Sequence, residues 1–582
     1  MVNVKNLFGM AVMATALVGC SSNDDITPNG NENAGKVGEA YAKFTIQLPT
    51  VSGTRADDPK PGTPSFEGGT ANEYAVKNAQ LVIFQKTDAS KGEGAYTFVE
   101  TVNIGNLEPW SDQTPANQGV TRYANITAKL NGVSLDKTGK EYFALVILNN
   151  LDNKGGSKVT LPIKKGTTYS AWNVSSNADG AAFLNSDNGF YMANAPLYST
   201  DEPTTLVPIK GVYSTKAEAQ TNPATTVYVE RGMAKVTVKG SDFTINDASS
   251  TYNTDKVTIN NWTLDVLNKS TFPVHVTTGL KTDFDAIWTT PRFVATGSTP
   301  QRVYWGKDPN YDKSTLTTVK ECQKEFYIVD NNGKTYNGDP SSTFTWSANT
   351  TPLYCLENTF DLGNMKQGQT TRVVFKATYT PHNLTGTDKT FFMIGNNTQI
   401  WTKDALEAQI TSKAKEMLNS TTVVVTINTD APLLKGGSHL LSSADVTIKD
   451  GSVDKTAAFD YATLNTKLGL NNTETDVNGN PKVGIKTYKN GECYYIARIK
   501  HFNELTPWAS GQAYGSDNKK YLGRYGVLRN NWYELTVSKV SAPGYPDVPV
   551  VNPETSDDED TKYINVEVKI LDWAKRTQQV EL

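Results

Sequence analysis

The stretch that most constrains this chain lies near its C-terminal end. Tyr563-Ile564-Asn565-Val566-Glu567-Val568-Lys569-Ile570 alternates apolar and polar residues with period two. Such a pattern predicts a β-strand burying one face: Ile564, Val566, Val568 and Ile570. The strand follows a polar, acidic, Pro-containing segment, and a strand so tethered can pair within its own domain or with a neighbouring molecule. Beyond Ile570 the period slips, with Leu571 adjacent and Trp573 two further on. That slip predicts a bend or bulge, then a second short strand ending at Val580 and Leu582. Near the other end a second lone strand, Ala42-Lys43-Phe44-Thr45-Ile46-Gln47-Leu48, has the same alternation. It would bury Ala42, Phe44, Ile46 and Leu48, and Pro49 ends it. Two strands so alike are candidates for one groove.

A chain of 582 residues is too long for a single core, so two or three domains are expected. The net charge of −4 leaves no basic footprint, which argues against a nucleic-acid partner. Abundant Thr, Asn, Gly and Val, with 27 Tyr and 10 Trp, suit β-strands joined by Asn/Gly turns, a mixture resembling exported bacterial surface proteins. His275, His382, His439 and His501 are scattered, and no GxSxG, Walker or Rossmann pattern occurs, so the inventory is not that of an enzyme. After Cys20 only Cys322, Cys355 and Cys493 remain. An odd, scattered set is no disulfide framework. One bridge such as Cys322–Cys355 and three small buried thiols are the alternatives, the second being the simpler. No CxxC or spaced histidines suggest a metal site. Asp330-Asn331-Asn332-Gly333 and Asp476-Val477-Asn478-Gly479-Asn480 lack the downstream bidentate Glu of a calcium loop and read as turns.

At the N-terminus, Lys5 precedes an apolar run over 7–19, too short to span a bilayer and suited to a secretory signal. It ends in Leu17-Val18-Gly19-Cys20, which resembles a bacterial lipobox. Residues 1–20 therefore read as a lipoprotein signal peptide, with Cys20 taking the lipid. Residues 21–39 read as a tether leading to the first strand. Then comes a polar stretch, Thr50-Val51-Ser52-Gly53-Thr54-Arg55-Ala56-Asp57-Asp58-Pro59. Arg55 is the only arginine in the first 121 residues, and exposed loops are preferred sites of proteolysis. A cut between Arg55 and Ala56 would remove anchor and strand together, making 21–55 a propeptide.

The remainder predicts a mostly β protein with few short helices: a β-sandwich over 56–229, a second over 230–540, and a linker with the terminal strand over 541–582. Ala79-Gln80-Leu81-Val82-Ile83-Phe84 and Tyr142-Phe143-Ala144-Leu145-Val146-Ile147-Leu148 are nearly continuous apolar runs, as in strands buried on both faces. Residues 404–418 are the convincing helix. There Asp404 and Glu407 suggest a capping box, and Leu406, Ile410, Ala414 and Met417 form a core stripe. Asp557-Asp558-Glu559-Asp560 reads as a solvated, self-repelling linker.

Tyr525-Gly526-Val527-Leu528-Arg529-Asn530-Asn531-Trp532-Tyr533, a strand, a Pro/acid linker and then Val566-Glu567-Val568-Lys569-Ile570-Leu571-Asp572-Trp573 resemble the C-terminal end of major fimbrillins of Bacteroidales, in particular the shaft subunit of the short (minor) fimbriae of Porphyromonas. Asn530-Asn531-Trp532 stands where a histidine is expected in that motif. Val229-Glu230-Arg231 with Ala234-Lys235-Val236 is similar to the family's passage between its two sandwiches. The Cys20 lipobox, the early strand and Arg55 match its propeptide. The resemblance implies two transthyretin-like, Greek-key sandwiches, no enzymatic activity and no cofactor. It further implies type V pilus assembly: a precursor lipid-anchored at the outer membrane, cleavage after Arg55 by an arginine-specific surface protease, and donor-strand exchange. In that exchange the terminal strand, with Ile564, Val566, Val568, Ile570, Leu571 and Trp573, fills a neighbour's groove. Partners would be other copies in a cell-surface filament and accessory tip and anchor subunits, with membrane contact only through the precursor lipid. A cut site together with a donor tail favours a shaft subunit over an accessory or anchor one. The rival reading is a surface glycan-binding lipoprotein using exposed aromatics such as Trp508 or Trp532.

Overall fold

The computed structural model describes residues 39–49, 70–107, 111–112, 120–136, 139–152, 156–175, 178–199, 201–288, 293–294, 301–475, 481–501, 519, 521–558 and 564–572. Cys20, Arg55, Ala56, Trp508, Trp573, the turn at 476–480, residues 559–563 and the second terminal strand up to Leu582 lie outside them.

The protein is mostly β with short helices, as the alternation implied. In the first part the strands are β1 (Ala40–Pro49), β2 (Ala79–Lys86), β3 (Thr97–Gly105), β4 (Val120–Leu130), β5 (Glu141–Leu148), β6 (Met192–Asn194) and β7 (Thr225–Arg231). Together with Ser111–Asp112 and Val207–Pro208 they form a nine-stranded sheet in the order β3-β2-β5-β6-β7-β1-β4. The sheet closes over its own core, where Leu81, Ile83, Ala144 and Val146 meet Phe44, Ile46, Ile126 and Ala128. The opposite faces of β2 and β5, with Val82, Phe84, Leu145 and Ile147, enter a second cluster containing Trp172, Phe183 and Tyr191. This double burial is why those two sequences run apolar without alternation.

Gly232 turns the chain from β7 into β8 (Met233–Lys239). A Cβ there would lie 2.4 Å from the Phe183 ring, so only glycine fits the crossing. The second part continues with β9 (Lys256–Asp265), β10 (Leu353–Leu356), β11 (Arg372–Thr380), β12 (Val423–Ile427), β13 (Glu492–Arg498), β14 (Asn531–Val540) and β15 (Ile564–Asp572). One four-stranded sheet runs β10-β8-β14-β15, and the other places β9, β11 and β13 after Asp242–Thr244. Ala234, Val236, Trp262, Phe375, Tyr495, Tyr533 and Leu535 fill the space between them.

Between β11 and β13 an α+β unit is inserted. Its helix α1 (Lys403–Leu418) buries Leu406, Ile410 and Ala414, with Met417 packed at the margin. The expected capping pair is replaced: the Thr402 hydroxyl accepts from the Ala405 amide at 3.2 Å, and Glu407 instead accepts from the Ile427 amide at 2.7 Å. Thr402, two residues before Asp404, already meets the orphan helix amide. Asp330 does close a turn, accepting from the Lys334 amide at 2.8 Å.

Of the two cysteine alternatives the structure bears out the simpler, and two further expectations meet the structure differently. Cys322, Cys355 and Cys493 are free and buried, so none of them is bridged. The segment before β15 is not a solvated linker: Val548, Val551, Asp557 and Asp558 are buried. Packing supplies those aspartates with partners, which charge patterning along the sequence cannot foresee. Finally, Leu571 and Asp572 stay in register opposite Trp532 and Asn531, and within the described residues the irregularity of the β14–β15 pair falls at Val537/Lys539. The ladder is a backbone feature, so a lapse in side-chain alternation does not by itself interrupt it.

Candidate functional site

β1 lies inside its sheet, parallel to β7 from Phe44↔Thr225 to Gln47↔Tyr228 and antiparallel to β4 from Ala40↔Leu130 to Leu48↔Arg122. Its pleat sends alternate residues inward: Ala42, Phe44 and Ile46 are fully buried and Leu48 is 1% exposed. Tyr41 also exchanges two backbone hydrogen bonds of 2.8 Å with Tyr213. On the outer face Lys43 Nζ donates to the Gln220 carbonyl at 3.0 Å, and the Thr45 hydroxyl donates to Asn125 Oδ1 at 2.7 Å. Removing β1 would leave two facing edges separated by one vacant strand width, with unpaired amides and an open apolar floor. Each large side chain on that strand contributes about 1.5–3 kcal/mol by burial.

β15 is placed differently. Among the described residues its strand partner is β14 alone, paired antiparallel from Val540↔Ile564 to Asn531↔Asp572. The two similar strands therefore lie in different sheets, one interior and one peripheral. The positions carrying Ile564, Val566, Val568, Ile570 and Leu571 stand opposite Val540, Val537, Leu535, Tyr533 and Trp532 in β14.

Between the two seats runs the crossing from β7 to β8, and here the structure gathers charges that sequence reasoning missed. Glu73, from the start of the first sandwich, pairs with Lys235 of β8 at 2.6 Å and accepts from the Tyr354 hydroxyl at 2.6 Å. Lys235 Nζ lies 3.8 Å from the Trp532 ring centroid, and the indole donates to the Thr237 hydroxyl at 2.8 Å. Trp532 is thus engaged within the molecule and offers little as a sugar platform. Asn530, in the left-handed region (φ 58°), accepts from the Arg231 amide at 3.1 Å.

Deeper in the joint, His275 is held between two carboxylates, Nδ1 at 2.9 Å from Glu230 and Nε2 at 3.3 Å from Glu357. Arg302 pairs with Glu230 at 2.9 Å and Arg529 with Glu357 at 3.1 Å. Burial alone would lower the His275 pKa, but Glu357 and Glu230 outweigh it and raise it to about 8. Burial likewise opposes the charge on Glu357, yet His275 and Arg529 bring its pKa down to about 2. The motif from Tyr525 to Tyr533 and the Val229-Glu230-Arg231 passage therefore converge on one buried joint. Adjacent charges at Glu230-Arg231 inside an apolar run were the visible signal. Glu73, His275, Arg302 and Glu357 gave none, being isolated in sequence.

Among the described residues no group of three or more His, Cys, Asp and Glu is arranged to hold a metal ion. None of their helices is long and apolar enough to cross a membrane. The described residues thus form two β-rich parts, with an interior strand ahead of the first and a peripheral strand after the second.

Residues 486–579 match the family described as "Major fimbrial subunit protein type IV, Fimbrillin, C-terminal". Through that C-terminal region, which includes β13, β14 and β15, the chain is similar to the C-terminal part of fimbrillins. No curated protein matches it. Similar solved structures include a putative cell adhesion protein from Parabacteroides distasonis, 12% identical over 92% of this chain and 99% of that one, with a TM-score of 0.35. A fimbrilin (fimA) from Porphyromonas gingivalis is 10% identical over 92% and 99%, TM-score 0.35. The tip fimbrial protein Mfa3 of the same species is 11% identical over 92% and 100%, TM-score 0.25.

Proposed function

We propose that this protein is a fimbrial shaft subunit, exported as a lipoprotein through Cys20, cut between Arg55 and Ala56 by an arginine-specific surface protease, and polymerised by donor-strand exchange. β1 would be the propeptide strand, and the C-terminal segment around β15 the donor. The single observation behind this reading is the placement of β1. It is an interior strand with a fully buried face, and residues 50–69, which hold Arg55, join it to the rest of the sandwich. While covalently attached, β1 has a high effective concentration that a strand of similar quality on another molecule does not match. A cut at Arg55 abolishes that advantage, so proteolysis acts as the switch. A tail strand then restores the missing pairing by β-augmentation, and a head-to-tail contact that does not close on itself grows a filament. Accessory tip and anchor subunits would terminate the filament on the cell surface.

The test starts from purified precursor. Limited digestion by an arginine-specific protease is expected to yield a product beginning at Ala56 that polymerises, visible by electron microscopy and sedimentation. Arg55→Ala precursor stays monomeric under the same digestion. Equal polymerisation of that variant would sink the switch. Precursor lacking residues 563–582 is cleaved but forms no filament on its own.

A further inference from the structure

We propose that residues 541–558 stay bound to the parent subunit when β15 is donated to a second copy of this chain, with Asp557 and Asp558 as the fixed post from which the donated segment departs. This rests on the exchange reading above and defines how much of the tail takes part.

The segment is built into the second sandwich along its length. Tyr545 exchanges two backbone hydrogen bonds of 2.8 Å with Tyr494, covering the free edge of β13. The Ala542 carbonyl accepts from the Tyr495 hydroxyl at 2.9 Å and the Gly544 carbonyl from the Tyr488 hydroxyl at 2.9 Å. The Val548 amide donates to the Asn331 carbonyl at 3.0 Å, and Arg372, itself paired with Asp265, reaches the Pro549 carbonyl. At the far end Asp557 accepts from the Thr370 hydroxyl at 2.9 Å, and its amide donates to the Met365 carbonyl at 3.1 Å. Asp558 accepts from the Tyr525 hydroxyl at 2.6 Å and pairs with Arg524 at 3.2 Å.

Pulling this segment away would uncover the β13 edge and leave Arg524 buried without Asp558. β15, by contrast, has one strand neighbour to leave among the described residues. The boundary between what is held and what can transfer therefore falls just after Asp558. From that post the chain to Asp572 spans at most about 50 Å when fully extended, which bounds the distance to a neighbour's groove.

Two cross-links separate the held part from the donated part. Lys366 and Ser556 face each other across an antiparallel bridge, as do Thr536 and Glu567 in the β14–β15 ladder. Facing antiparallel positions have the Cα separation a disulfide needs. Precursors carrying Lys366→Cys with Ser556→Cys, or Thr536→Cys with Glu567→Cys, are oxidised, checked by mass spectrometry of the linked peptides, and cleaved at Arg55. The first is expected to polymerise to the same extent oxidised or reduced. The second polymerises only after reduction. Failure of the oxidised first variant, rescued by reductant while wild-type protein polymerises normally, overturns the post. Oxidised second variant that polymerises overturns both the post and the donor assignment, and cleaved wild type that stays monomeric overturns the exchange reading itself. Hydrogen exchange makes the comparison without substitutions. The amides of Tyr545, Val548 and Asp557 keep their monomer protection in the polymer, and loss of it at all three counts against the post.

Discussion

At the scale of single residues, His275 concentrates what is unusual about this protein. Each ring nitrogen meets a carboxylate, and Arg302, Arg529 and the nearby Asp308 complete the charges facing the cluster. The sign of its pH dependence follows from its raised pKa of about 8 against an ordinary 6.5. The stabilisation is fully present below pH 6.5 and is lost as pH rises through 8. Wild-type protein should therefore lose about 2 kcal/mol more than His275→Gln between pH 6.5 and 9, measured by urea denaturation across that range. Parallel profiles for the two proteins would show that His275 does not titrate in the joint. In sequence His275 was one of four scattered histidines. Its role depends on Glu230 and Glu357, distant along the chain and brought together only by folding.

Individual elements were far more legible. Alternation located β1 and β15 closely, because a one-sided burial requirement writes itself into the sequence with period two. The helix stripe at Leu406, Ile410 and Ala414 was equally plain. Its true cap at Thr402 and the role of Glu407 were not, because Glu407 serves another element. β12 is an edge strand with Val424 58% exposed, and its run of β-branched residues is uncharged. Its Val425 and Ile427 amides donate to Thr411 Oγ1 at 3.1 Å and Glu407 Oε1 at 2.7 Å from α1. These side chains satisfy an edge that would otherwise recruit another strand. Glu407→Ala combined with Thr411→Val should cost about 2 kcal/mol or more, through two amides left without acceptors. It should also raise self-association, read by denaturation midpoint and light scattering. An unchanged midpoint with unchanged scattering would show the caps to be dispensable.

Over the whole molecule, the two sandwiches are joined by buried charge rather than by apolar surface alone. Lys235 is 4% exposed and Glu73 1%. Glu73→Ala takes the buried carboxylate away from that lysine and should destabilise the joint by about 3–5 kcal/mol. Glu73→Leu with Lys235→Met should recover much of the loss, since replacing both charges removes the desolvation cost along with the attraction. Calorimetry would show the single variant unfolding earlier, with its sandwiches less well coupled, and the double variant nearer wild type. A Glu73→Ala protein as stable as wild type would mean that the pair contributes nothing to the joint. The sequence by itself determined the β character, the positions of β1, β2, β5 and β15, the likeness of the two lone strands and the fimbrillin resemblance of the C-terminal end, because period, turn residues and local motifs are properties of neighbouring residues. Only the tertiary structure decided that β1 is interior while β15 is peripheral, that Asp557 and Asp558 are buried anchors, and that Glu73, His275 and Glu357 meet at one joint. Those outcomes depend on which distant backbones pair and which buried charges find partners, and no local pattern encodes either.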